Sequence, residues 1–114
     1  MSNCLFCKII EGEIPAEKLV TTEDVVAFRD INPQAPDHVL IVPRKHIEKL
    51  SDVTSADRGL VGTLICQARQ IAHDLGLDKS GYRLVINNGE TAGQSVWQLH
   101  VHLLGGRDFQ WPPG

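Results

Sequence analysis

The sequence predicts an α+β domain in which an antiparallel sheet of about five strands packs with one long and one short helix. Short segments bounded by tight turns predict the strands. Apolar residues at three- and four-residue spacings predict the long helix. Because strands and helices are segregated along the chain, and several strand links are short, an antiparallel sheet is favoured over a parallel one.

The N-terminal half predicts a short helix followed by three strands. Gly12 ends the helix, since glycine is favoured just after a helix. Pro33 and Pro36 each lack a backbone N–H, which predicts a loop before the third strand, and Pro43 stops that strand. The predicted bounds are 4–11 for the helix and 18–21, 25–29 and 38–42 for the strands.

The C-terminal half predicts the long helix and two further strands. Thr54 is the expected N-cap, because Asp57 follows it by three residues, and Gly76 ends the helix. The last two strands are predicted at 82–87 and 96–104. The helix presents one apolar stripe, which consists of Leu60, Val61, Leu64, Ile65, Ala68, Ile71, Ala72 and Leu75.

Length and composition restrict the class of protein. The chain has 114 residues, so we expect residues 1–114 to form a single domain. A formal net charge of −3 gives no electrostatic case for binding a nucleic-acid backbone. The sequence contains no apolar run of about 18 residues, so no membrane span is predicted. Met1 to Cys4 do not look like the start of a secretory signal. Three cysteines do not suggest a disulfide scaffold, so a cytoplasmic location is expected.

The last predicted strand carries the strongest functional pattern. Strand alternation would place Gln98, His100 and His102 on one face, opposite a second face made of Trp97, Leu99, Val101 and Leu103. A neutral imidazole is a competent nucleophile toward phosphorus, and an ordinary pKa near 6.5 keeps it neutral at physiological pH. A second imidazole could bind a phosphate oxygen or deliver a proton. The alternative is a metal pair, because the His-x-His pattern is also common in metal sites.

A loop of small and polar residues precedes this strand. Gly93 lets backbone approach a ligand, Ser95 offers a hydroxyl donor, and free N–H groups in such a loop can bind an anion. The alternative is an ordinary turn. The position of the loop directly before the histidines favours a phosphate-binding role.

A cysteine pair near the N-terminus is a candidate metal site. Cys4 and Cys7 are separated by two residues, a spacing used for zinc or for redox chemistry. Two cysteines do not fill a tetrahedral zinc site, and His46 is the best third ligand. The alternative is that the pair has no metal-binding role.

Residues 93–107 resemble the signature of the histidine-triad (HIT) superfamily. Residues 28–36 are similar to the family's ribose-contacting segment, and residues 38–46 to the strand that follows it. The ending Trp111-Pro112-Pro113-Gly114 is similar to the Hint branch, the histidine-triad nucleotide-binding proteins. The resemblance extends over essentially the whole chain.

The resemblance implies a homodimer whose sheets join, with the long helix and strand 82–87 at the interface. It implies hydrolysis of purine nucleoside 5'-phosphoramidates, such as AMP linked to an amine, and of acyl-adenylates. His100 matches the nucleophile that forms a nucleotidyl-histidine intermediate, and His102 and Ser95 complete the catalytic set. Trp111 matches a tail residue that reaches toward the partner's site. The implied nucleotide-binding residues are Leu5, Phe6, Phe28, Asp30, Ile31, Asn87, Gly93, Gln94, Ser95, His100 and His102. Adenosine and guanosine conjugates both stay open.

Gln98 departs from the family pattern, because histidine is usual at this first triad position. In relatives with the cysteine pair, zinc is held by residues that match Cys4, Cys7, His46 and Gln98. The amide oxygen of Gln98 is a poor zinc donor, so a structural zinc here is expected to be weak, completed by water, or absent. The chemistry itself is expected to need no cofactor. The alternatives are a non-catalytic nucleotide-binding or scaffold protein and a structural zinc protein.

Overall fold

A five-stranded antiparallel sheet forms the centre of the protein, in the order β1-β2-β3-β5-β4. The computed structural model describes residues 4–114, so Met1, Ser2 and Asn3, on which the secretory-signal prediction partly rests, lie outside the described residues. The α+β class, the five strands and the two helices are confirmed. The elements are α1 (Leu5–Ile10), β1 (Lys18–Thr21), β2 (Val25–Arg29), β3 (Asp37–Pro43), α2 (Arg58–Asp74), β4 (Tyr82–Val85) and β5 (Val101–Gly105).

Local sequence determines the N-terminal elements closely. Cys4 is the N-cap of α1, and its Sγ accepts a hydrogen bond from the Cys7 N–H. The turn between β1 and β2 is closed by Thr22, whose hydroxyl accepts from the N–H of Val25 at 3.0 Å. Both strands have the predicted bounds, whereas β3 is one residue longer at each end.

The long α-helix begins at Arg58, later than the predicted N-cap Thr54 implies. Thr54 caps a short 3-10 turn, Ser55–Asp57, and the Asp57 carboxylate accepts from the Thr54 N–H at 3.0 Å. The α-helix proper follows from Arg58. Ile65 lies at the edge of the predicted apolar stripe and is 39% exposed. The buried part of the stripe consists of Leu64, Ala68, Ile71 and Ala72.

The two faces of the sheet support two separate apolar clusters. In β3, Val39 and Ile41 point into the cluster beneath α2, while Leu40 and Val42 point into a smaller cluster beneath α1. Such alternation is the expected consequence of the two-residue repeat of a strand. Helix α2 covers the larger cluster. The shorter α1 covers only part of the opposite face and leaves a cavity beside it.

The strand predicted at 96–104 is the main error of the sequence analysis. The ladder between β3 and β5 begins only at the pair Ile41 and Val101, and residues 96–100 are irregular. Trp97 is 42% exposed, although alternation placed it on a buried face. Gln98 is fully buried but turns away from the histidines, toward the backbone of residues 43–47. Strand β4 likewise ends at Val85 rather than at residue 87.

The described residues also bear on membrane insertion and polar burial. Within residues 4–114, neither helix has the length and apolar character needed to cross a membrane. In the same residues, every buried side-chain nitrogen or oxygen has a hydrogen-bond partner. The buried side-chain amides of Gln94 and Gln98 are therefore paired within the protein.

Candidate active site

A cavity of about 510 Å³ lies on the α1 face of the sheet. Its apolar part is formed by α1 and by the end of β2. Its polar part is formed by the segment after β2, by β3, by the loop before β5 and by β5 itself. The apolar part is lined by Leu5, Phe6, Ile9, Phe28 and Ile31, and the polar part by Asp30, His38, Asn87, Gly93, Ser95, His100 and His102.

Gln94 is the one predicted nucleotide-binding residue that does not line this cavity. It is 5% exposed, and its side-chain amide donates to the carbonyls of Glu48 at 2.8 Å and Val96 at 3.1 Å. Its amide oxygen accepts from the Gly89 N–H at 2.9 Å. Gln94 therefore stabilises the loop through internal hydrogen bonds, and its predicted contact with the nucleotide stays a prediction.

The loop that Gln94 holds requires glycine at two positions. Gly89 and Gly93 have φ angles of 95° and 96°, a region that side chains other than glycine rarely adopt. Between them lies a single 3-10 turn, Glu90–Ala92. This geometry presents Gly93 and Ser95 to the polar part of the cavity.

The ring of His100 is held in one tautomer. Its Nδ1 lies 2.6 Å from the backbone carbonyl oxygen of Gln98, and because a carbonyl only accepts, Nδ1 carries the proton. The lone pair is therefore on Nε2. The ring of Phe6 packs edge-to-face on the imidazole with centroids 4.9 Å apart. Burial lowers the pKa of His100, although the hydrogen bond to Gln98 acts in the opposite direction, so the ring is neutral at neutral pH.

A second chain of hydrogen bonds determines the tautomers of His38 and His102. The Gln34 N–H donates to Nδ1 of His38 at 3.0 Å, so the His38 proton is on Nε2. That Nε2–H donates to Nδ1 of His102 at 2.9 Å, which leaves the His102 proton on Nε2. Burial, followed by the neighbouring His100 and His38, lowers the pKa of His102 to about 4.

Asp30 adds the one carboxylate close to these rings among the residues that the structure describes. Its Oδ2 lies 3.5 Å from Nε2 of His38, and its Oδ1 accepts from the Asn32 N–H at 2.9 Å. The pKa of His38 is lowered by burial, against the opposing effect of Asp30. Neutral histidines are thus kept beside a carboxylate that faces the cavity.

No sequence pattern predicted a role for His38. One histidine before an apolar run has no distinctive pattern, yet two facts could have identified it. His38 shares a face of β3 with Leu40, and Leu40 lies opposite His102 in the antiparallel ladder. A correct pairing of β3 with β5 would therefore have placed His38 diagonally across from His102.

The cysteine pair and His46 do come together, as predicted. The two sulfur atoms and a ring nitrogen of His46 lie within 4.8 Å of one another, and Sγ of Cys7 is 3.4 Å from Nδ1 of His46. Cys4 and Cys7 are joined in a disulfide, which is one local link and not the disulfide scaffold that the cysteine count makes unlikely. The reason is local, because a cap residue and a residue of the first helical turn lie 5.1 Å apart at Cα, within the range of a disulfide.

This cluster would supply three of the four ligands that a structural zinc needs. Reduced Cys4 and Cys7 with His46 are suitable donors, since zinc binds thiolate and imidazole. Gln98 does not fit as the fourth, because its side-chain amide is bonded to the backbone at Pro43, Lys45 and Ile47.

The fold and the cavity together define an α+β domain built around a small-molecule site with three neutral histidines. The chain belongs to the HIT domain family, whose model matches residues 11–109. It is 50% identical over 112 residues to an uncharacterized HIT-like protein of Synechocystis sp., covering 98% of this chain and 97% of that protein.

Solved structures agree with this assignment. A HIT family hydrolase from Legionella pneumophila Philadelphia 1 superposes with a TM-score of 0.96 at 50% identity, over 98% of this chain and 100% of the other. A histidine triad nucleotide-binding protein from Candida albicans superposes with a TM-score of 0.83 at 35% identity, over 96% of this chain and 83% of the other.

Proposed function

We propose that this protein is a Hint-type phosphoramidase, which cleaves purine nucleoside 5'-phosphoramidates through a nucleotide covalently attached to His100. The observation that most strongly supports this proposal is the hydrogen bond from Nδ1–H of His100 to the Gln98 carbonyl. This bond leaves Nε2 as a free nucleophile in the cavity. The descriptions of the Legionella relative as a hydrolase and of the Candida relative as nucleotide-binding support the proposal.

The proposed pose follows the division of the cavity. The purine lies in the apolar part against Phe6 and Phe28, whose rings pack edge-to-face at 5.5 Å. The ribose hydroxyls bind the carboxylate of Asp30. The phosphate then reaches Ser95 and His102, with Asn87 and Gly93 beside them. Leu5 and Ile31 close the purine part, and the apolar walls admit AMP and GMP conjugates alike.

Two displacements at phosphorus complete the reaction. In the first, Nε2 of His100 bonds to phosphorus, the phosphorus–nitrogen bond breaks, and the amine leaves with a proton from solvent. In the second, water attacks phosphorus, the bond to His100 breaks, and AMP leaves as a proton returns to solvent. The Nε2–H of His102 donates to a phosphate oxygen in both steps, where negative charge concentrates. The reacting groups all belong to the protein, the substrate or water, so no cofactor is needed.

We propose that residues 1–114 are one domain that works as a homodimer in the cytoplasm. Strand β4 is an edge of the sheet, and α2 exposes Ile65, two features that suit association with a second copy. Trp111 is 81% exposed and is then free to reach the partner's site. Sedimentation of the purified protein tests the dimer.

A structural zinc protein is the less favoured alternative. The side-chain amide of Gln98 is already bonded to backbone, so Cys4, Cys7 and His46 would have to hold zinc without a fourth ligand from this residue. Metal analysis of reduced protein purified without added zinc tests this alternative, and one zinc per chain would support it.

The test of function uses AMP joined through its phosphate to a fluorescent amine. Wild-type protein should release the amine, and His100→Ala should lower kcat/KM by about 10⁴-fold or more, as removal of a nucleophile does. His73→Ala is the control, because His73 is exposed on α2 outside the cavity. Mass spectrometry of protein quenched in alkali should detect AMP on the wild-type chain. Full activity of His100→Ala would exclude this nucleophile, and AMP binding without turnover in the wild type would favour the non-catalytic alternative.

A further inference from the structure

We propose that the side chain of Gln98 is a positioning residue for His100: by binding the backbone of residues 43–47 it holds its own carbonyl where that carbonyl selects the nucleophilic tautomer. The catalytic importance of this arrangement rests on the proposed function, whereas the tautomer itself does not. Gln98 does not line the cavity, so it acts through His100 rather than on a ligand.

The first support is the bonding of the Gln98 side chain. The residue is fully buried, and its amide oxygen accepts from the Ile47 N–H at 3.0 Å. Its two amide hydrogens go to the carbonyl oxygens of Pro43 at 2.8 Å and Lys45 at 2.9 Å. The donor capacity of the amide is therefore used in full, all of it on a segment of main chain that continues directly from β3.

The second support is the position of the Gln98 carbonyl outside the sheet. The β3–β5 ladder stops at Val101, so strand pairing does not hold the peptide that accepts from His100. The Leu99 N–H donates to the Ile47 carbonyl at 2.6 Å, next to the side-chain bonds of Gln98. Side-chain and main-chain hydrogen bonds thus attach residues 98 and 99 to residues 43–47. The Gln98 carbonyl belongs to this attached segment and accepts from His100.

The third support is the chemistry of imidazole. A neutral histidine exchanges its proton between Nδ1 and Nε2, and the hydrogen bond of one nitrogen determines which form is present. The 2.6 Å bond to the Gln98 carbonyl selects the Nδ1–H form. If that carbonyl moves, the Nε2–H form gains population, and it has no lone pair to offer phosphorus. A loosened Gln98 should therefore slow the chemical step without weakening nucleotide binding.

The experiment reads the tautomer directly, by nitrogen NMR of ring-labelled histidine at neutral pH without substrate. Gln98→Leu has similar volume and removes all three side-chain bonds. Gln98→Glu keeps an acceptor for the Ile47 N–H and removes at least one of the two donors, and serves if the leucine variant does not fold. Leu64→Ala is the matched control, because it opens a cavity in the fully buried cluster beneath α2, on the opposite face of the sheet.

The expected result has two parts. In either Gln98 variant, the Nε2–H form of His100 should increase, while wild type and Leu64→Ala show Nδ1–H alone. With the AMP–amine conjugate, kcat should fall about tenfold, the loss of roughly one oriented hydrogen bond in the transition state, while KM changes less than about twofold. A larger change in KM than in kcat would contradict the positioning role.

Two further results would overturn the proposal. One is a folded Gln98 variant in which His100 keeps the Nδ1–H form. The other is the same tautomer change in Leu64→Ala, which would show that any loss of stability loosens the ring. Failure of the proposed function is distinct, since wild-type protein would then release no amine while the tautomer of the Gln98 variants still changed.

Discussion

Replacing His102 with glutamine should make the protein less sensitive to mild acid. Unfolded histidine binds a proton below its ordinary pKa of 6.5, whereas burial and two neighbouring imidazoles hold the pKa of folded His102 at about 4. Between these values the unfolded chain binds more protons than the folded chain, so the free energy of unfolding falls as the pH decreases through this range. Above pH 6.5 the residue has no such effect.

The size of the effect follows from the pKa difference. A displacement from 6.5 to about 4 corresponds to a loss of about 3 kcal/mol in the free energy of unfolding across that range. His102 is partly exposed, so water reduces this to about 2 to 3 kcal/mol. In a domain of this length that is a decrease of roughly 10 °C in Tm. Burial lowers the pKa values of His38 and His100 as well, so the variant should reduce the acid sensitivity without abolishing it.

The assay is urea unfolding followed by circular dichroism, at fixed protein concentration, from about pH 7 to about pH 4.5. Glutamine suits the comparison, since its amide oxygen can still accept from Nε2–H of His38. The free energies of wild type and His102→Gln should diverge steadily below about pH 6.5. Parallel curves over the whole range would refute the reasoning, because they would mean that folded His102 takes up its proton as readily as unfolded histidine.

Two further predictions concern stability away from the cavity. His73 pairs with the Asp78 carboxylate, which raises the His73 pKa, so the pair stabilises the fold below pH 6.5 and loses this effect as the pH rises through the raised pKa. Asp78→Asn should therefore lower Tm in mildly acidic buffer and leave it unchanged in alkaline buffer, and an equal loss in both would contradict the pairing. A Cβ at Gly105 would lie 2.6 Å from Leu77, whereas one at Gly62 meets nothing within 4 Å. Urea unfolding should show Gly105→Ala destabilised by about 1 to 3 kcal/mol and Gly62→Ala stabilised by up to about 1 kcal/mol, and the reverse order would be incompatible with the packing described.

Elements determined by neighbouring residues could be predicted from the sequence. The first two strands have the predicted bounds because Thr22 and the residues after it close a local turn. The Thr54 cap and the helix from Arg58 likewise depend on contacts within a few residues. The alternation of Val101, His102 and Leu103 was also correct, because that segment pairs with β3 on one side and β4 on the other.

The predictions failed for residues whose surroundings are determined by main chain that is distant in the sequence. Gln98 looks like one more polar residue of an alternating strand, yet its partners are 51 to 55 residues away. Its side chain replaces strand pairing, so the alternation fails at Trp97, and Gln94 turns inward to Glu48 for a similar reason. His38 was overlooked because its importance depends on the pairing of two strands whose histidines lie 64 residues apart.

The alternation of β3 has a consequence for errors in folding. A slip of this strand by one residue against β5 would move Val39 into the cavity and bury the ring of His38 beneath α2, because neighbouring side chains exchange faces. A buried imidazole without partners costs about 1 to 3 kcal/mol, and the displaced valine loses its packing. The same register that forms the core therefore places His38 beside His102, so a chain that has folded correctly has also assembled its histidine pair.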